Sequence, residues 1–238
     1  MLEIKNLSVK VQEKTILKDI NINFEIWKNY CLLGENGSGK SSLALTIMWH
    51  PKYEITDWSI IIDWQNIKDL TPDQRAKLWL FLAFQNIPEI PGIKLFEFLR
   101  MIYNTKTWED FTFLKFKNFI VPQMEEIWLD PEFLRRDLNV WFSGWEKRKI
   151  ELLQIKLLKP KYIFLDEIDS GLDIDAFKSI SKSIKELNND ENCFVFITHH
   201  FEIIKDINID QVYLLKNGEV EETGDKTLIE RIKKNWFK

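Results

Sequence analysis

Residues Gly34-Glu35-Asn36-Gly37-Ser38-Gly39-Lys40-Ser41 decide how the rest of the chain is read. A glycine at each end, followed by a lysine and a hydroxyl residue, is the pattern of a loop that turns its backbone N–H groups inward on phosphate. The context fits. Tyr30-Cys31-Leu32-Leu33 is a short continuous apolar run of the kind found in strands buried on both faces, and Ser41 to Met48 has helical spacing with good helix formers. In this strand, loop, helix setting, Gly34 through Ser42 would cradle the β- and γ-phosphates of a ligand. Lys40 adds a point charge, Ser41 is a candidate Mg²⁺ ligand, and the helix N-terminus favours the anion.

A second element lies far along the chain. Tyr162-Ile163-Phe164-Leu165 reads as another buried strand, delivering Asp166 at its C-terminal end, where carboxylates in such sheets meet a metal. Glu167 beside it could polarise an attacking water, general-base work that typically contributes about 10²–10⁴-fold. Two carboxylates there could equally cap the helix that begins near Ile174. Thr198-His199-His200 follows the next strand, Cys193 to Ile197, and places an imidazole at a strand end. Gln85 ends the apolar run Phe81 to Phe84 and could hold metal or water through its amide. Ser143 and Gly144 open a helical stretch, with Glu146 three residues after Ser143; a capping box and a phosphate contact would use the same exposed N–H groups.

Around these residues the hydrophobic pattern is that of an α/β protein. Leu2 to Val11 and Ile20 to Ile26 nearly alternate with polar residues, which predicts an antiparallel sheet at the N-terminus. The stretch from 95 to 158 reads as largely helical, punctuated by Pro122 and Pro131, and residues 93–158 are expected to form a helical lobe inserted in one domain spanning 1–238. Lys216-Asn217-Gly218 is a hairpin turn signal. The 33 basic and 37 acidic residues are interspersed, so no basic tract offers a footprint for nucleic acid. No apolar run approaches the ~18 residues of a membrane span. Two distant cysteines, Cys31 and Cys193, and the absence of a secretory pattern point to a reducing, cytoplasmic setting.

Together these elements resemble the nucleotide-binding subunits of the ABC ATPase superfamily over nearly the whole length. The resemblance implies a P-loop NTPase core with an N-terminal antiparallel β subdomain and an inserted helical subdomain. In that comparison Gly34 to Ser41 corresponds to the Walker A loop, Gln85 to the Q-loop, Phe142-Ser143-Gly144-Trp145-Glu146 to the signature, Tyr162 to Glu167 to Walker B, Ser170 to Asp173 to the D-loop and His199 to the switch histidine. It further implies a head-to-tail homodimer in which Ser143 and Gly144 of one copy close over ATP held by Lys40 of the other. Within the superfamily, Phe84-Gln85 through Gly92, Asn139 to Gly144 and Leu165 to Ala176 are similar to the SufC-type ATPases of iron–sulfur cluster assembly, whose partners are scaffolds of the SufB/SufD type. Transporter subunits usually carry Pro after the Walker B Glu, where this chain has Ile168-Asp169. A transporter subunit docking a membrane partner, and a regulatory module that binds ATP without hydrolysing it, are the competing readings.

The composition carries one anomaly: 8 glycines stand beside 10 tryptophans in 238 residues. Trp145 stands where the signature has Gly, and Trp141, Trp49, Trp79 and Trp128 where SufC-like chains do; Asp57-Trp58 and Asp63-Trp64 sit at strand-turn boundaries where Asp-Gly is the expected turn, and Trp27 precedes Lys28-Asn29 in a turn, whereas Trp108 and Trp236 have no such correspondence. Were all eight left-handed, at roughly 1–2 kcal/mol each, the cost would be about 8–16 kcal/mol, comparable with a domain's whole stability. The expectation is that the source reads UGA as glycine; the alternative is a divergent or inactive homologue that tolerates tryptophan.

Overall fold

The computed structural model describes residues 1–168, 173–198, 201–205 and 207–236, without the side chains of Trp58, Asn235 and Trp236. The chain divides into two compact units, Met1–Phe84 with Pro160–Asp169 and Asn188–Lys238, and Gln85–Lys159 with Ser170–Leu187.

The first unit begins with β1 (Leu2–Val11) and β2 (Lys14–Phe24), followed by β3 (Tyr30–Leu33), α1 (Lys40–Ile47), β4 (Glu54–Ile62) and β5 (Gln65–Asn66). Strands β1, β2, β4 and β5 form an antiparallel sheet in the order β2-β1-β4-β5, as the alternation predicts. The alternation extends to Ile26, but β2 ends at Phe24, because the chain turns at Trp27 through a φ of +74°. Next come α2 (Pro72–Lys77) and β6 (Leu80–Ala83).

The second unit holds β7 (Ile90–Lys94), α3 (Leu95–Thr107), α4 (Phe113–Glu126), β8 (Asp137–Leu138) and α5 (Gly144–Leu158). Pro122 lies inside α4 rather than ending it. The apolar stripe Phe116, Ile120 and Met124, fully buried, holds the helix despite the missing N–H. These three pack with Leu95, Leu99, Ile150 and Leu153 in the unit's own core.

After β9 (Tyr162–Asp166) come α6 (Ile174–Leu187), β10 (Cys193–Ile197), β11 (Gln211–Lys216), β12 (Glu219–Gly224) and α7 (Lys226–Trp236), of which α6 belongs to the second unit. The central sheet of the first unit runs β12-β11-β3-β10-β9-β6, parallel from β11 to β6 with β12 antiparallel at the edge. Strands β3, β9 and β10 are buried at every residue, as their uninterrupted apolar runs require of a sheet covered on both faces. Among the described residues no helix is long and apolar enough to cross a membrane.

Seven tryptophans adopt left-handed backbone: Trp27, Trp49, Trp64, Trp79, Trp108, Trp128 and Trp141, with φ between +57° and +74°. All seven side chains are solvent-exposed, from 37% at Trp49 and Trp79 to 95% at Trp64. Of the eight positions matched to glycine, Trp58 in β4 and Trp145 in α5 do not need this conformation, while Trp108, unmatched in sequence, has it.

Candidate functional site

Strand β3 ends at Leu33, and the chain enters a loop that reverses into α1. Gly34 makes that reversal possible. A Cβ there would stand 2.2 Å from the Leu215 carbonyl oxygen and 2.5 Å from Ser38 Oγ, so no other residue fits the close approach of β11. Gly39 caps α1 with a φ of +107°, a left-handed value that glycine adopts without strain.

Lys40 is the first residue of α1, and its side chain folds back across the loop. Its ammonium donates to the carbonyl oxygens of Gly34 at 2.8 Å and Glu35 at 3.0 Å. The side chain is buried, and burial lowers the ammonium's pKa below its ordinary value, with the carboxylates of Glu167 and Asp166 opposing that shift. A buried lysine whose ammonium donates to two loop carbonyls is poised for a stronger anion. Ser38 Oγ is buried in the same loop with no hydrogen-bond partner, a second group suited to an anionic oxygen.

Asp166 reaches this loop from the C-terminal end of β9, as sequence spacing predicts. Ser41 Oγ donates to Asp166 Oδ1 at 2.9 Å, which brings the expected hydroxyl and carboxylate metal ligands together across 125 residues of chain. Both are hard oxygen donors, the chemistry Mg²⁺ takes. Glu167 follows with φ of +46°, and its N–H donates to the Ile197 carbonyl at 2.8 Å, fixing it to the end of β10. Left-handed backbone at a non-glycine residue beside a charged cluster is the strain found at functional positions.

Gln85, Ser143 and Gly144 belong to the second unit. Gln85 opens the second unit with an exposed side chain, its carbonyl accepting from Arg148 Nη2 at 3.0 Å. Ser143 N-caps α5 in a reciprocal capping box: the Glu146 N–H donates to Ser143 Oγ at 3.2 Å, and the Ser143 N–H donates to Glu146 Oε2 at 2.7 Å. A Cβ on Gly144 would meet nothing within 4 Å, leaving that helix end open. Lys149 Nζ lies 4.7 Å from the Trp145 ring centroid. His199 lies outside the described residues, as do Ser170 to Leu172.

One supporting residue escaped sequence reading. Arg75 on α2 is fully buried and donates to the carbonyls of Thr46 and Ile47 at the C-terminal end of α1, and to those of Leu70, Ile67 and Lys68. Burial pushes its guanidinium down to about 10, so it stays charged at neutral pH and complements the helix C-terminus that backs the loop. An arginine within Asp73-Gln74-Arg75-Ala76-Lys77 carries no signal of this in a polar helical stretch.

Comparison with known proteins agrees with this geometry. Residues 17–170 match the family described as ABC transporter. The probable ATP-dependent transporter ycf16 of Antithamnion sp. is 40% identical over 98% of this chain and 95% of its own. Vegetative protein 296 of Bacillus subtilis is 38% identical over 100% and 93% respectively. Among solved structures, a dimeric ATP-binding cassette, MJ0796, bound to ADP and Pi superimposes with a TM-score of 0.79 at 22% identity, over 94% of this chain and 98% of that one. An ATP-binding subunit of an ABC transporter gives 0.80 at 22% identity, over 98% and 93%. The loop at Gly34 to Ser41, the Ser41–Asp166 pair and matches along the full length converge: this chain belongs to the ABC family of ATP-binding proteins.

Proposed function

We propose that the chain is the ATP-hydrolysing subunit of an iron–sulfur cluster assembly complex, acting as a SufC-like head-to-tail homodimer in the cytoplasm and driving conformational change in a SufB/SufD-type scaffold. The Ser41–Asp166 contact beside Lys40 is the observation that carries the ATPase part. Ser41 and Asp166 would hold Mg²⁺, which when bound neutralises charge on the β- and γ-phosphate oxygens. Lys40 would exchange its two carbonyl acceptors for phosphate oxygens, while loop N–H groups orient the chain of phosphates for in-line attack. Glu167 would accept a proton from the attacking water as its oxygen bonds to the γ-phosphorus and the bond to the ADP oxygen breaks. Gln85 and His199 are assigned the positioning of metal and water, and Ser143 with Gly144 the contact to ATP held by the second copy.

Two features favour the assembly role. Ile168-Asp169 follows Glu167 where transporter subunits usually have Pro. Cys31 and Cys193 are both fully buried, and burial pushes their thiols up, so neither offers a ready thiolate to iron; the scaffold would hold the cluster. Transporter function is the second reading, favoured by the names of the relatives described above. Affinity isolation of the chain from its native source separates them. Scaffold proteins without membrane spans are the expected companions, and recovery of a permease without them would overturn the assembly role.

A further inference from the structure

We infer that the functional chain carries glycine, not tryptophan, at positions 27, 49, 64, 79, 108, 128 and 141, each encoded by a UGA codon that the source translates as glycine. The backbone at these positions is the argument, and it stands without the proposed function.

Four of the seven end helices. After α1, Trp49 donates its N–H to the Thr46 carbonyl at 2.9 Å, and His50 donates to Leu45 at 3.0 Å. After α4, Trp128 donates to Glu125 at 3.0 Å and Leu129 donates to Met124 at 2.9 Å. These paired bonds define a Schellman termination, whose left-handed residue is usually glycine. Trp79 stands at the corresponding place after α2, donating to the Ala76 carbonyl at 3.1 Å. Trp108 follows α3 directly at φ +57°. Asp63-Trp64 forms the two-residue connection between β4 and β5 with φ of +45° and +74°, and a hairpin with both central residues left-handed calls for Asp-Gly. Trp27 turns the chain between β2 and β3, and Trp141 turns it before α5.

The company these tryptophans keep sharpens the point. The other left-handed non-glycine residues among the described ones are Asn6, Gln12, Asp19, Asp63, Asn139, Lys159, Glu167 and Asn217, mostly the Asn and Asp whose short polar side chains tolerate this region. An indole gains nothing from it. Trp64, Trp108, Trp128 and Trp141 are at least 85% exposed, so burial does little to offset the conformation there, while at Trp27, Trp49 and Trp79 a cation lies over the ring, Lys28 at 4.7 Å, Arg75 at 4.5 Å and Lys161 at 6.0 Å. Neutral drift in a tolerant homologue would scatter bulky replacements over many residue types, whereas here one type fills glycine places again and again.

Two measurements test this. Peptide mass spectrometry of the protein isolated from its native source, read beside the gene, is expected to find glycine at all seven positions over UGA codons; tryptophan at any one of them would overturn the inference. As a second readout, the chain with all seven replaced by glycine is compared with the chain as written in urea unfolding. The folded-to-unfolded ratio is expected to rise roughly five-fold per site, and an unchanged or lower midpoint would overturn the conformational argument.

Discussion

Replacing Trp64 with glycine is expected to stabilise the protein, although it removes the largest side chain in the repertoire. The indole is 95% exposed, so its loss forfeits almost no buried surface. Its backbone sits at φ +74°, in a turn whose preceding residue, Asp63, is also left-handed. Left-handed backbone costs an L-residue roughly 1–2 kcal/mol, and the greater freedom of glycine in the unfolded chain returns about 0.5–1 kcal/mol of that gain. The net is about 1 kcal/mol, which for a chain of this size raises the melting temperature by about 2–4 °C. Thermal unfolding followed by circular dichroism reads this directly. Trp64→Ala separates backbone from bulk, because alanine also removes the indole but keeps the Cβ that makes the conformation costly; it is expected to melt close to the parent. Equal gains in the two variants, or a loss in Trp64→Gly, would refute the reasoning.

Three further outcomes follow from the described contacts. Lys40→Ala removes the buried ammonium that spans the loop, and is expected to abolish binding of a fluorescent ATP analogue without lowering the melting temperature; retained affinity would contradict the site. Arg75→Met takes its donor from the Ile47 carbonyl and one of two donors from those of Thr46 and Ile67, which keep the N–H groups of Trp49 and Leu70, so a loss of about 1–3 kcal/mol and a lower urea midpoint are expected; an unchanged midpoint would show the contacts to be dispensable. Lys94 Nζ donates to Asp137 at 2.7 Å and the Gly92 N–H donates to it at 2.9 Å, which hold its carboxyl below the ordinary carboxylate value. With the folded value depressed, this contact stabilises the fold above the ordinary carboxylate range and is lost as pH falls through the folded value; a carboxyl titration by NMR that finds Asp137 at or above the ordinary value would contradict it.

Much of the architecture was legible because local and global signals agree. The apolar runs at Tyr30 to Leu33, Tyr162 to Leu165 and Cys193 to Ile197 are the centre of the parallel sheet, and the spacing after Gly39 is α1. The pairing of Ser41 with Asp166 follows from β3 and β9 flanking β10 in the sheet, a topology that buried strands and an intervening helix already suggest. Pro122 misled because packing outweighs the loss of one helical hydrogen bond. Arg75 was invisible because its acceptors are backbone carbonyls of residues 46–70, and backbone groups leave no trace in residue identity. Trp27 and Trp64 were legible from turn signals and Trp49, Trp79, Trp128 and Trp141 from the family comparison; the turn expected at Asp57-Trp58 is instead the interior of β4, and Trp108 needed φ itself.

Phosphate release from ATP, measured on the chain and on Glu167→Gln at matched nucleotide occupancy, tests the central claim most directly. The account expects the parent to hydrolyse ATP and Glu167→Gln to bind it while slowing hydrolysis at least ~10²-fold, with a stable nucleotide-bound dimer. Equal rates in the two proteins would contradict it.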